Sequence, residues 1–198
     1  VHGSRGLGDV YKRQVYESTE VGIKWDIRPG LSFTASYFDS EQTIATRDSD
    51  TGENSEIVGL QVDGIELELK GQVTEKLSLA IGYSDLDGET AKGGEPREIP
   101  EYTASLWATY EVNDRFGIGL GITSQGESNI KNDKPGLILP DYTRVDFAAY
   151  YDVADDLSIQ LNVENVTDEL YFPHSHSTHQ ASVGLSLIHI SEPTRPMN

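Results

Sequence analysis

The 198-residue chain contains no cysteine, which excludes both a disulfide framework and thiolate chemistry. It also lacks the run of about 18 apolar residues that a transmembrane helix requires. Basic residues are few, with 15 Lys and Arg against 33 Asp and Glu and a net charge of −18. That charge repels phosphate, and no nucleic-acid partner is expected. The chain does contain regular apolar alternation and 10 tyrosines, which argue against disorder.

Both ends of the chain have the character of translated sequencing adapters. Residues 4–14 read SRGLGDVYKRQ and residues 185–195 read LSLIHISEPTR. Their cores, DVYKRQ and LSLIHI, can be back-translated into DNA strings that are reverse complements of each other. Artificial segments are set aside before fold reasoning. We therefore predict that residues 1–14 and 185–198 are artefacts without a fold, and that the natural segment, residues 15–184, is cut at both ends. The alternative is a genuine basic arm and a genuine C-terminal tail.

Short polar turns recur along the chain at a steady interval. They lie at residues 28–30, 74–76, 113–115 and 154–156. Each has an alternating segment on either side, and the one after the first turn places apolar side chains at Leu31, Phe33, Ala35 and Tyr37. A period of two is typical of strands with one apolar and one polar face. The sequence therefore predicts eight strands in four tight hairpins.

The connections between these hairpins are long, polar and rich in Gly, Asp, Asn and Ser. They are predicted at residues 39–56, 84–101, 124–141 and 167–177. Strict alternation of short turns with long loops is typical of outer-membrane β-barrels, whose short turns face the periplasm. We therefore predict an all-β fold, an antiparallel up-and-down meander. It would be an incomplete slice of a large transmembrane β-barrel, with about eight strands and the start of a ninth at residues 179–184.

Two other architectures fit part of this pattern. A soluble antiparallel sandwich also has apolar strand faces, but its loops do not usually sort by length between two ends. A complete eight-stranded barrel has the right number of strands. In this segment, however, both ends would lie on the long-loop side, whereas small complete barrels generally keep both termini on the periplasmic side. A slice of a larger barrel fits the pattern best.

Several segments resemble TonB-dependent outer-membrane receptors. Residues 161–172, LNVENVTDELYF, resemble the family's C-terminal signature, in which a strand is followed by N-[LVI]-x-D-x-x-Y. The signature positions are filled by Asn165, Val166, Asp168 and Tyr171. Four further segments resemble strands of the family, in the expected order along the chain: residues 17–25, 64–71, 100–107 and 140–146. Within the family, the chain resembles ferric-siderophore receptors. Among these it resembles the catecholate type.

The resemblance implies a barrel of about 22 strands in the outer membrane of a Gram-negative bacterium. It implies four partners: a ferric siderophore, outer-membrane lipid, the receptor's own plug domain and the TonB energy complex. The plug and the energy-coupling motif are missing from this chain, so the fragment alone is not expected to transport its ligand. No cofactor is implied. Neither a nucleophile elbow nor a zinc-protease motif is present, which argues against an enzyme. The alternatives are a passive porin, a barrel enzyme, or a receptor for another ligand.

Two groups of residues are candidate sites. His174, His176 and His179 lie in an exterior loop, where they could contact an incoming iron chelate. Imidazoles also suit zinc, copper or nickel, but no cysteine or paired carboxylate completes a metal set, and a plain surface loop is the simplest alternative. Glu66 and Glu68 are predicted to face the plug from the polar side of their strand. Acidic exterior loops would repel an anionic ferric chelate, which is at odds with the resemblance to this family.

Overall fold

The computed structural model describes residues 15–47, 54–134, 136–175 and 181–186. The predicted artefact segments lie outside these ranges except for Leu185 and Ser186. The strands are β1 (Val15–Arg28), β2 (Leu31–Arg47), β3 (Asn54–Gln72), β4 (Leu77–Thr90), β5 (Tyr102–Asn113), β6 (Phe116–Gln125), β7 (Ser128–Asn129), β8 (Ile138–Leu139), β9 (Tyr142–Ala154), β10 (Leu157–Val163), β11 (His174–Ser175) and β12 (Ala181–Ser182). Within these ranges, no helix is long and apolar enough to cross a membrane.

The eight long strands form one antiparallel sheet in the order β1-β2-β3-β4-β5-β6-β9-β10. This order confirms the predicted up-and-down meander, because each strand pairs with its predecessor among the long strands. β1 and β10 lie at opposite edges, so the sheet is open rather than closed into a small barrel. The sandwich alternative is wrong, since the long strands share a single sheet. Two small sheets, β7 with β8 and β11 with β12, lie outside it.

The four tight turns form where the sequence predicts them, and local side-chain chemistry explains two of them. In the turn before β6, Asn113 Oδ1 accepts hydrogen bonds from the N–H groups of Arg115 and Phe116, at 3.0 and 3.1 Å. In the turn before β4, Thr74 Oγ1 accepts from the N–H of Leu77 at 3.0 Å. Short polar side chains that satisfy nearby backbone donors favour such turns.

The strands extend further into the predicted loops than the sequence indicates. The predicted loop at residues 39–56 is mostly strand, since β2 continues to Arg47 and β3 begins at Asn54. β4 likewise continues to Thr90, inside the predicted loop at residues 84–101. The prediction relied on apolar alternation, which ends near Asp39. Backbone pairing does not need apolar side chains, because its hydrogen bonds join main-chain groups only.

Within the predicted start of a ninth strand at residues 179–184, the structure describes the short strand β12 at Ala181–Ser182. In the part of this segment that the structure describes, β12 pairs with β11 and not with the large sheet. The Gly184 N–H donates a hydrogen bond to the Tyr171 carbonyl at 2.8 Å. This bond ties the segment to the loop that follows β10.

The two faces of the large sheet differ in polarity as predicted. One row across seven strands is entirely apolar: Trp25, Phe33, Leu69, Ile81, Leu106, Ile122 and Val145. Side chains on this face remain accessible, with Ile23 65% and Trp25 60% exposed. The sheet therefore builds little apolar core of its own, and its apolar face requires lipid contact.

The apolar face provides a direct test of lipid contact. We expect Leu106→Arg in the full-length protein to lower the free energy of unfolding from a bilayer by about 2–4 kcal/mol, because the charge would enter hydrocarbon. Ser105→Arg is the matched control, since Ser105 is the neighbouring residue on the polar face. Chemical denaturation in lipid vesicles measures both variants. If the two variants lose the same free energy of unfolding, the assignment of the apolar and polar faces is wrong.

Candidate functional site

Glu66 and Glu68 lie on the polar face of β3, as predicted. Glu66 is opposite Ser36 and Ser84, and Glu68 is opposite Thr34 and Gly82. The two glutamates border an open cavity of about 310 Å³, whose other polar-face lining consists of small residues: Thr34, Ser36, Gly82, Ser84, Thr103 and Ser105. Neither carboxylate forms an ion pair with any residue of the described ranges. Within the described ranges, the two negative charges that border this recess therefore have no ion-pair partner.

The side chain of Asn165 organises the loop after β10. Asn165 is fully buried, and its Oδ1 accepts from the Glu169 N–H at 2.9 Å. Its Nδ2 donates to the carbonyls of Glu169 and Leu185, both at 2.9 Å. Its own N–H donates to Asp146 Oδ1 at 2.8 Å. Asn165 has a φ of 53°, a left-handed conformation that Asn tolerates better than most residues.

Tyr171 packs beside this loop against strand β9. Its hydroxyl accepts from Arg144 Nη1 at 3.0 Å, and its ring centroid lies 4.7 Å from that of Tyr142. Arg144 Nη2 also donates to Asp146 Oδ2 at 2.8 Å, so Asp146 contacts both Arg144 and Asn165. We call Asn165, Tyr171, Arg144 and Asp146 the motif cluster. It fixes the signature loop onto the polar face of β9.

Two further signature positions have backbone roles. The Val166 N–H donates to the Val145 carbonyl at 2.7 Å, which attaches the loop to β9. The Asp168 N–H donates to the Asn165 carbonyl at 2.9 Å and closes the turn, and Asp168 also has a positive φ of 53°. The signature therefore encodes the shape of this loop.

Sequence reasoning identified Asn165, Asp168 and Tyr171 but not their partners Arg144 and Asp146. The sequence does contain a signal for these partners, because Arg144 and Asp146 lie two residues apart and therefore on the same polar face of β9. Opposite charges two residues apart on one strand face lie close enough to pair. Their contact with the signature loop depends on tertiary packing and has no local pattern.

The structure describes only one of the three predicted histidines. His174 lies in β11, is exposed and pairs with Ser182. His176 and His179 lie outside the described residues. Within the described ranges, no three residues of the metal-ligating types are grouped to hold an ion. Ligand contact by the three histidines stays a prediction.

Comparison with known proteins identifies the fold and the family. Residues 12–166 match the family described as TonB dependent receptor-like, beta-barrel. The siderophore receptor PiuA of Acinetobacter baumannii is 29% identical, over 84% of this chain and 25% of its own length. The ferrioxamine B receptor of Salmonella typhimurium is 30% identical, over 83% of this chain and 26% of its own length.

Solved receptor structures superpose on the sheet. The crystal structure of PiuA has a TM-score of 0.73 at 29% identity, covering 86% of this chain and 27% of that one. The closed form of the ferric-catecholate import receptor Fiu of E. coli has a TM-score of 0.74, covering 91% of this chain and 26% of that one. At 24% identity, Fiu shows the fold alone.

These matches agree with the single antiparallel sheet. The chain spans about a quarter of the length of the receptors it matches. Because the family match covers residues 12–166, it includes all eight long strands. The chain therefore belongs to the TonB-dependent receptor family and forms part of its β-barrel.

Proposed function

We propose that the full-length protein is an outer-membrane receptor that imports ferric siderophores with energy from TonB. The observation that carries this proposal is the family match over residues 12–166, together with relatives that are named as siderophore receptors. The apolar face of the sheet would contact outer-membrane lipid, and the polar face would line the lumen. The four tight turns would face the periplasm, and the long connections the exterior.

Import by the full-length receptor can be tested in a Gram-negative strain that lacks its own siderophore receptors. We expect the cloned receptor to restore uptake of ⁵⁵Fe from at least one ferric chelate, and TonB deletion to abolish that uptake. Uptake that persists without TonB would instead support the passive porin. Failure of every ferric chelate, with the receptor correctly inserted, would support a receptor for another ligand.

We further propose that Glu66 and Glu68 bind basic side chains of the plug domain. Both carboxylates lack a cationic partner within the described ranges and border the recess of small polar residues. A lumen filled by another domain would remove water from these charges, and removal of water is unfavourable unless a cation compensates. Small neighbours such as Ser84 and Gly82 leave room for a long Arg or Lys side chain.

The double variant Glu66→Gln/Glu68→Gln is expected to loosen the plug. Charged hydrogen bonds contribute about 1.5–3 kcal/mol each, so plug unfolding in urea should begin at a clearly lower concentration. Spin labels on the plug would report the change in the purified full-length receptor. Glu75→Gln, in a tight turn, is the control and should leave the plug unchanged. A plug equally stable in both variants would contradict the contact.

A further inference from the structure

We propose that two long connections of the sheet form one rigid body and stay joined while the receptor imports its ligand. They are the connection between β4 and β5 and the connection between β6 and β9. We call their described residues, 91–101, 126–134 and 136–141, the loop unit. The proposal rests on the function proposed above, because it states which exterior segments move together during import.

Hydrogen bonds in both directions hold the two connections together. The Glu98 N–H donates to the Asn129 carbonyl at 2.8 Å, and the Asp133 N–H donates to the Glu95 carbonyl at 3.1 Å. The side-chain amide of Asn129 also donates to Glu95 Oε2. Because each connection supplies donors to the other, neither can move alone without leaving several polar groups unpaired.

The loop unit has a packed interior, although connecting segments usually lie on the surface. Leu139 is 4% exposed, Ser128 6% and Asn129 8%, whereas side chains such as Trp25 on the large sheet are 60% exposed. Separation of the two connections would expose this interior and break the hydrogen bonds in the same step. Segments that share buried groups in this way open cooperatively.

The loop unit rests on the polar face of β4. Gly88 lies on the same face as Ser84, and a Cβ at Gly88 would lie 2.6 Å from Pro96 Cγ and 3.4 Å from Ile99 Cδ1. Pro96 and Ile99 therefore pack over the polar side of this strand. Since the polar face is proposed to line the lumen, the loop unit overhangs the lumen on this side. A ligand would then enter beside the loop unit and not between its two connections.

A disulfide across the loop unit tests whether its connections separate during import. In the full-length receptor, Gly94→Cys/Asp133→Cys places the two Cβ atoms close together, because a Cβ at Gly94 would lie 3.2 Å from the Asp133 Cβ. Disulfides need a Cβ separation of about 3.5–4.5 Å, so a small shift is enough. We expect the oxidised variant to import ⁵⁵Fe from a ferric chelate as fast as its reduced form. Uptake that is lost on oxidation and recovered on reduction would overturn the proposal.

Amide hydrogen exchange of the full-length receptor tests the same body without a cross-link. The Arg97 N–H donates to Asn132 Oδ1 at 2.7 Å, and Asn132→Ala removes this bond between the connections. We expect exchange to become about fivefold faster at Glu98 and at Asp133 alike, although neither N–H bonds to the Asn132 side chain. Lys131→Ala, at the exposed neighbouring position, is the control and should change neither rate. Faster exchange confined to Arg97 would show that the connections open separately.

The two measurements separate this proposal from the proposed function. Hydrogen exchange needs no ligand, so it decides whether the loop unit is one body even if no ferric chelate is imported. If the unmodified receptor imports no ferric chelate, the proposed function fails. If it imports a chelate but the two connections exchange independently, the loop unit alone is wrong.

Discussion

Asn165→Ala in the full-length receptor is expected to lower the free energy of unfolding by about 3–5 kcal/mol. The substitution removes the two side-chain hydrogen bonds to Glu169 at a fully buried position, and the third bond, to Leu185, is not counted because Leu185 lies in the predicted artefact segment. Each buried group left unpaired costs about 1–3 kcal/mol. Alanine also tolerates the left-handed φ of 53° less well than asparagine, which adds about 1 kcal/mol. Guanidinium unfolding of the receptor in lipid vesicles gives the measurement.

Two controls separate hydrogen bonding from backbone strain. Asn165→Gly removes the same hydrogen bonds, but glycine adopts the left-handed conformation without strain. Its free energy of unfolding should therefore exceed that of Asn165→Ala only by the strain that alanine suffers. Asn113→Ala removes a turn acceptor at an exposed position and should cost about 1 kcal/mol. If Asn165→Ala is no more harmful than Asn113→Ala, the motif cluster does not stabilise the barrel as we infer.

Gly71→Ala is expected to destabilise the barrel by about 3 kcal/mol. Gly71 has a φ of 136°, which only glycine adopts readily, and a Cβ there would collide with the Gly30 carbonyl oxygen. That oxygen accepts a hydrogen bond from the Gln72 N–H at 2.9 Å. The backbone therefore cannot move away without breaking the β2–β3 ladder beside the first tight turn.

The neighbouring Gly30 provides the matched control for Gly71. Gly30 also has a positive φ, 80°, but a Cβ there would meet nothing within 4 Å. Gly30→Ala should therefore cost only the strain of the left-handed conformation, about 1 kcal/mol. Unfolding in lipid vesicles compares the two variants. If both variants lose the same free energy of unfolding, the close approach to Gly30 is not the reason that position 71 requires glycine.

Sequence alone determined the local architecture of this protein. Alternation such as Leu31, Phe33, Ala35 and Tyr37 defines strand faces because side chains project to opposite sides with a period of two. Short polar turns defined the hairpins, since side chains such as that of Asn113 accept hydrogen bonds from nearby backbone N–H groups. The signature at residues 161–172 indicated the family, which the match over residues 12–166 then confirmed. Each of these signals lies within a few residues of chain.

Only the tertiary structure decided which distant side chains meet. The extension of β2 to Arg47 depends on pairing with β3, and backbone pairing leaves no mark in side-chain alternation. Asp146 contacts Asn165 because the loop after β10 folds onto β9. Lys92 and Lys131 share a pocket because two connections dock on each other. Composition could not show this grouping, because an average over a loop does not tell which of its charges packing brings together.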